Sequence, residues 1–361
     1  MRKAIILLNL GSPTTDSATD VRSYLKQFLN DPYVIDLPFL MRWLLVNGII
    51  LNTRPKKSAH AYQKIWNKNA APGESGSPLV THTLLLAKKL QELLKNHSND
   101  LVIPAMRYGS PSIESALNIA KENKVDSILF FPLYPQYSYA ASESSIQEFL
   151  KNKKQILPDA GSTIIEDFFD LPTLKTEFTA AVAKTIQTQW DQFRPDLLLY
   201  SYHGVPERQL QKVKDCPATN NCCVPYCCDS LNEKNKKCYK AQCYETSRLI
   251  DQALNLKPSQ SQVSFQSRLG RTKWIEPYTD FVIPELPKNR IKRLLVVSPS
   301  FTADCLETLE EIKMQYSDLF MQSGGEAFEY VPCLNSSDDF VVVLKNAIEK
   351  AKNYIPNGKS L

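Results

Sequence analysis

Several groupings of residues in this 361-residue chain have types and spacings suited to chemistry. The densest is "DCPATNNCCVPYCCDSLNEKNKKC", Asp215 to Cys238, which holds six of the nine cysteines: Cys216, Cys222, Cys223, Cys227, Cys228 and Cys238. Four thiolates drawn from so short a segment can hold a 2Fe-2S cluster or a zinc ion, and spacing alone does not separate the two. Just upstream, His203 stands in "SYHGVPERQ" and is one of only four histidines. An imidazole there suits proton transfer or metal ligation, and equally well simple capping. In "ADCLETLEEI", Asp304, Glu307 and Glu311 fall at i, i+3 and i+7, one face of a helix. Such a row serves a hard divalent metal or paired proton transfers, although acids at a helix start also complement its dipole. The last grouping is aromatic and apolar: Tyr134, Tyr137, Tyr139, Trp274 and "DLPFLMRWLLVNGIIL" from Asp36 to Leu51. It reads either as ordinary buried helix or as an apolar lip for a flat greasy ligand that also rests on a membrane surface. In the second reading Arg42, Arg54 and Arg107 are available to meet carboxylates.

The elements that must position these residues follow from hydrophobic periodicity. "KAIILLNL", "LVIPAMRYG", "SILFFPLYP", "STIIEDFF", "DLLLYSYHG", "VSFQS", "RLLVVSPS" and "AFEYVPC" are strand candidates. They alternate with segments such as "SIESALNIAKENKV" and "LKTEFTAAVAKTIQTQW", whose apolar residues recur at three and four. That order predicts an α/β protein of two doubly wound parallel-sheet halves. The first half covers residues 1–167 and includes the lip at 36–51; the second covers 168–336 and carries the cysteine-rich insertion at 215–238. A C-terminal helix at 337–354 is expected to pack back on the first half. Ligands of such sheets bind beyond the carboxyl ends of the strands, where "GSPT", "RYGSPS", "YPQYS", "HGVPER", "QSRLGRTKW" and "SFTADCLETLEE" lie. None is a phosphate-cradling glycine loop, and the chain has only 11 glycines, so nucleotide binding loses ground.

Composition bounds the rest. An apolar content of 43% over this length exceeds what one core usually organises, which again implies two lobes. The net charge of +5 comes from 43 basic and 38 acidic residues without a polybasic run, and so gives no reason to expect nucleic acid as a partner. The start "MRKAIILLNLGSPTT" reads as a first strand and turn, not a cleaved leader, and no window approaches the roughly 18 apolar residues of a membrane span. A cytosolic protein is expected, in which clustered thiols hold metal more readily than they form disulfides.

Taken in order, "NLGSP", "RYG", "YPQYS", "SYHGVP", "FQSR.G..KW..P.TD" and "FTADCLETLEEI" resemble the ferrochelatases, and the likeness runs from about residue 4 to "VPCLN". The resemblance implies two Rossmann-like halves with a cleft between them and no nucleotide, a chelatase-like fold. It implies insertion of ferrous iron into protoporphyrin IX to form protoheme, the terminal step of heme biosynthesis. It implies that His203 and Glu307 face each other across the porphyrin, with Glu311 continuing a carboxylate path. Metallation must remove two pyrrole protons and strip water from iron; an imidazole can accept such protons and carboxylates can relay protons or metal. A distorted macrocycle would be held by apolar walls, for which Trp274, Tyr137 and Met41 are candidates. The resemblance also sets Gly11, Ser12, Pro13, Arg54, Arg107, Tyr108 and the "GSPL" at Gly76 to Leu79 around the same cleft. Cys305 occupies a position where some relatives have His.

Within this frame the cysteine segment is an insertion. A subset of ferrochelatases carries a 2Fe-2S cluster, in some bacterial relatives wholly within such a segment, and zinc is the alternative. Cys216, Cys238 and one cysteine from each adjacent pair are the expected ligands, with Cys243 simply packed. Peripheral contact with the inner face of the cell membrane is expected through the lip. Two other readings stay open: a tetrapyrrole chelatase using cobalt, nickel or coproporphyrin, and a non-enzymatic iron-sulfur redox protein.

Overall fold

The computed structural model describes residues 2–71, 75–95, 98–213, 227–268, 270 and 272–351. Each of the eight apolar runs forms a strand: β1 (Lys3–Gly11), β2 (Leu101–Tyr108), β3 (Ser127–Pro132), β4 (Gly161–Ile164), β5 (Leu197–His203), β6 (Ser261–Gln266), β7 (Arg293–Val297) and β8 (Ala327–Tyr330). They pair in parallel as two sheets of four, ordered β2-β1-β3-β4 and β6-β5-β7-β8. Continuous apolar runs suit this arrangement, because helical crossovers cover both faces of a parallel sheet.

The first compact unit comprises the chain up to Tyr134, Ala140–Leu171 and the chain from Asn335 onward. Its central strand β1 buries Ala4 to Leu8 completely. The crossover helix Ile113–Glu122 turns Ile113, Ala116, Leu117 and Ala120 inward, and its first turn is capped where Ser115 N–H donates to Ser112 Oγ at 3.0 Å. Phe130 of β3 stacks on Phe149 at 4.2 Å between ring centroids. Each such buried Leu, Ile or Phe contributes about 1.5–3 kcal/mol relative to exposure. The helix Asp338–Ala351 packs on the helix Pro78–Leu94 within this unit, where Lys89 Nζ bonds Asp338 at 2.7 Å.

The second unit comprises Pro135–Tyr139 and Pro172–Leu334. Its core joins Leu197 and Leu199 of β5, Leu294 and Val296 of β7, Ile312 and Phe320. The first unit runs past the division read at 167/168, because Phe168 is buried edge-on against Phe131 and the next helix starts only at Pro172. Pro135–Tyr139 groups with the second unit because the helix Tyr239–Leu254 holds it: Gln136 Nε2 donates to Thr246 at 3.0 Å, and Tyr137 N–H donates to Gln242 Oε1 at 2.6 Å. In each sheet the strand order reverses once, between β1 and β3 and between β5 and β7. Such a reversal opens a crevice beyond the strand ends, the usual ligand position in these folds.

Gly11 closes β1 with φ +104°, and a Cβ there would lie 1.8 Å from the Tyr108 carbonyl oxygen. Gly11→Ala is expected to destabilise the protein by about 2–4 kcal/mol, combining forbidden backbone with a backbone clash. Gly48→Ala is the control, since a Cβ there meets nothing within 4 Å; a helical alanine should be neutral or gain up to about 1 kcal/mol. Urea unfolding of both variants beside the parent checks the contrast.

Candidate active site

The crevice of the second unit receives the carboxyl ends of β5, β6 and β7. β5 is buried through Tyr202 and reaches partial exposure at its last residue, His203. The imidazole Nδ1 lies 2.7 Å from the Gly204 carbonyl oxygen. A carbonyl can only accept, so Nδ1 carries the hydrogen, and in the neutral ring Nε2 is the nitrogen with the lone pair. The His203–Gly204 peptide is held on both sides: Tyr239 Oη donates to the His203 carbonyl at 2.8 Å, and Gly204 N–H donates to the Gln266 carbonyl at 2.8 Å. Gly204 permits that approach, since a Cβ would fall 2.7 Å from the Gln266 oxygen and 3.3 Å from the Trp274 ring. Trp274 and Phe301 flank the imidazole with ring centroids at 6.5 and 6.3 Å. Phe301 was no individual candidate from sequence, although it follows the β7 run directly.

The acidic residues differ from the expected stripe. Residues Glu307–Tyr316 wind as a π-helix, whose i→i+5 bonding widens the turn and brings residues four apart to nearly the same side. Glu307 and Glu311 therefore share a face, and both are half-buried. Asp304 precedes the helix and is spent structurally: its Oδ1 accepts from Thr308 Oγ1 at 3.0 Å and Tyr330 Oη at 2.8 Å. Glu311 Oε2 accepts from Ser267 Oγ at 2.6 Å. Ser267 adopts the left-handed backbone, φ 66°, just after β6, an uncommon conformation for serine that aims its hydroxyl at Glu311. Gln266 Nε2 reaches the Glu307 carbonyl at 3.4 Å, so the residue paired with His203 across the ladder also contacts the acidic helix. Cys305 is buried; burial, then the Glu307 charge, push its thiol up and keep it protonated.

The other expected pocket residues belong to the first unit, except Trp274 and Tyr137. Gly11 ends β1 and Ser12 and Pro13 follow it, all three buried, and Ser12 Oγ has no hydrogen-bond partner among the described residues. Arg107 and Tyr108 end β2 and share an acceptor that sequence reading missed. Asp31 Oδ2 accepts from Arg107 Nη2 at 2.6 Å, Tyr108 Oη at 2.7 Å and Ser144 Oγ at 2.6 Å. The Arg107 guanidinium is thus engaged and shapes its surroundings, and Arg42 likewise donates to the Leu37 carbonyl at 2.7 Å from a buried position. Arg54 is exposed. Met41 is 57% exposed, among Phe39, Leu40, Trp43, Leu44 and Ile49, so the segment 36–51 is not a buried helix. Tyr137 is nearly buried, with Lys237 Nζ 5.3 Å from its ring centroid.

Of the six clustered cysteines, Cys216, Cys222 and Cys223 lie outside the described residues. Cys227 and Cys228 are half-buried, and Cys238 is buried at the N-cap of the helix Tyr239–Leu254. Among the described residues no three His, Cys, Asp or Glu side chains gather as a metal site. Cys243 is fully enclosed, and burial pushes its thiol up, as suits a packed residue.

A family model described as Ferrochelatase matches residues 2–352. A ferrochelatase of Coxiella burnetii is 43% identical over 351 residues, covering 96% of this chain and 92% of that protein. One from Ectopseudomonas mendocina is 42% identical over 352 residues, covering 96% and 98%. One from Legionella pneumophila is 41% identical over 353 residues, covering 97% and 99%. Among solved structures, the sirohydrochlorin chelatase SirB from Bacillus subtilis subspecies spizizenii, in complex with cobalt, matches with a TM-score of 0.50 at 10% identity, covering 98% of this chain and 96% of that one. The last likeness speaks to the fold alone. With the family model spanning almost every residue and relatives above 40% identity end to end, this chain belongs to the ferrochelatase family.

Proposed function

We propose that the protein inserts ferrous iron into protoporphyrin IX, releasing two protons and forming protoheme, the last step of heme biosynthesis. The observation that carries this reading lies at the ends of β5 and β7: an imidazole whose Nδ1 is engaged by the Gly204 carbonyl, so that Nε2 is the nitrogen left for chemistry, and a π-helix that carries Glu307 and Glu311 on one side. Each pyrrole proton needs an acceptor, and His203 Nε2 is suited to take it. Iron must also exchange water for nitrogen; half-buried carboxylates can hold a hard cation on its way and carry protons outward. Ser267 supports this by keeping Glu311 in one orientation. Trp274 and Phe301 offer apolar surface beside the imidazole for a flat ring; Tyr137, Met41, Gly11, Ser12 and Pro13 are proposed as further porphyrin-binding residues. Arg107 and Tyr108, locked by Asp31, set pocket shape, whereas exposed Arg54 is the cation suited to a propionate.

The cysteine segment holds a 2Fe-2S cluster in this reading, with ligands from Cys216, Cys222, Cys223, Cys227, Cys228 and Cys238. Among the described donors, Cys238 stands where a helix N-terminus favours an anionic ligand group, and the turn bearing Cys227 and Cys228 is hydrogen-bonded toward it through Asn235, which supports this reading. A bound cluster would supply cross-linking and one-electron redox chemistry, and the insertion step itself uses His203 and the glutamates. The protein works in the cytoplasm in peripheral contact with the inner face of the cell membrane. Exposure of Phe39, Leu40, Trp43, Leu44 and Ile49 supports such contact, since interfacial binding scales with buried apolar area. Among the described residues no helix is long and apolar enough to cross a membrane.

Anaerobic heme formation and porphyrin fluorescence titration, run side by side, test the catalytic reading. His203→Ala and Glu307→Gln should each lower metallation about a hundredfold to ten-thousandfold while porphyrin still binds, and Glu311→Gln about tenfold. Near-normal heme formation by His203→Ala would overturn it. Protein purified without oxygen should be coloured and carry about two irons with sulfide per chain; Cys238→Ser should bleach it, and Cys243→Ser should not. Colourless protein with one zinc sinks the cluster. Trp43→Ser with Leu44→Ser should weaken sedimentation with anionic liposomes severalfold, and unchanged binding would show that the apolar segment serves another purpose.

A further inference from the structure

Successive residues at the end of the cysteine segment reach directly to His203 and Tyr137. Buried Asn235 first ties the segment to itself. Its Nδ2 donates to the carbonyls of Cys227 at 2.7 Å and Ser230 at 2.9 Å, its Oδ1 accepts from Asn232 N–H at 2.7 Å, and its carbonyl accepts from Cys238 N–H at 2.8 Å. The turn bearing Cys227 and Cys228 is thereby held to Cys238. Two lines lead on from there. Along one, the Lys236 carbonyl accepts from Gln242 Nε2 at 2.7 Å while Gln242 Oε1 accepts from Tyr137 N–H at 2.6 Å. Gln242 is completely buried, and Lys237 adds its ammonium over the Tyr137 ring. Along the other, Tyr239, adjacent to Cys238, donates its hydroxyl to the His203 carbonyl at 2.8 Å.

The second line bears on the chemistry. Tyr239 and Gln266 hold the His203–Gly204 peptide by its carbonyl and its N–H. The next carbonyl, that of Gly204, takes the Nδ1 hydrogen of His203. Rotation of the held peptide would carry that acceptor away and turn Nε2 with it. A second-sphere partner that orients an imidazole in this way governs which nitrogen is free.

We propose that Tyr239 and Gln242 are positioning residues through which the Cys227–Cys238 segment sets His203 and Tyr137, so that whatever the thiols hold is registered at the site of metallation. The proposal rests on the reading of His203 as proton acceptor. A metal or cluster bound by the thiols adds covalent constraints to the Asn235 hydrogen bonds; its loss removes those constraints and so loosens the hold on Cys238 and on the hydroxyl that follows it.

Hydrogen exchange read by mass spectrometry, on full-length protein purified without oxygen, follows the Gly204 amide independently of turnover. Tyr239→Phe keeps the buried ring and removes the donor. It should speed Gly204 exchange about tenfold, lower kcat for heme formation about tenfold and leave porphyrin affinity within about twofold, the effect of one hydrogen bond. Cys238→Ser should speed the same exchange in the parent and add nothing in the Tyr239→Phe background, because both act through one contact. Gln242→Met, similar in length but without hydrogen-bonding groups, should weaken porphyrin binding about tenfold and leave Gly204 exchange unchanged. Unchanged Gly204 exchange in Tyr239→Phe, additive effects of Tyr239→Phe and Cys238→Ser, or parental porphyrin binding by Gln242→Met would each overturn the proposal. Faster exchange with unaltered kcat would uphold the linkage while removing His203 from the chemistry.

Discussion

The close approach of Gly204 to the Gln266 carbonyl is the constraint on which the site depends. It continues the β5–β6 pairing one residue beyond the ladder, in a space that admits no side chain. The imidazole tautomer, the packing of Trp274 and the turn that sets Ser267 against Glu311 all follow from where those two strand ends meet. β5 is also an inner strand, flanked by β6 and β7 and buried along its length, so its last residue has little freedom to drift. Chemistry carried at the end of such a strand inherits the rigidity of the sheet, which a loop would not supply.

The first unit meets a different problem, a buried charge. Arg107 and Asp31 are largely removed from water, where an ion pair is tolerable only if its remaining hydrogen-bonding capacity is filled. Tyr108 and Ser144 add donors to the same carboxylate oxygen, and Tyr33 N–H meets the other at 2.8 Å. The outcome is a set of polar side chains that fix one another's rotamers. At the segment around Trp43 the balance is reversed: apolar side chains stand in water with no polar cover. One region keeps a shape, and the other is suited to meeting a surface.

Sequence alone reveals the eight strands because each is a compact apolar run, and it reveals His203 because the histidine ends one of them. It marks Glu307 and Glu311 by spacing, but that spacing fits an α-helix as well as the π-helix observed, so the winding was illegible. Asp304 looked like a third member of the row; its role depends on Tyr330, which only folding brings near. Asp31 carries no local signal, since its partners Arg107 and Ser144 lie far along the chain. The segment 36–51 is apolar at most positions, with Arg42 and Asn47 among them, and periodicity does not decide between burial and exposure. Local pattern thus locates elements and strand ends, whereas polar partners separated by many residues become visible only once the sheets are assembled.

Gln242 has a consequence for how this chain can vary through descent. The residue uses its amide hydrogen toward the cysteine segment and its amide oxygen toward Tyr137, away from water. Glutamate would turn two acceptors toward groups of opposite need, and asparagine would fall a methylene short. As long as a lineage keeps the segment, glutamine is the one genetically encoded residue that answers both neighbours. A lineage that discarded the segment would release half of that demand, and the position would then be open to residues that satisfy Tyr137 alone.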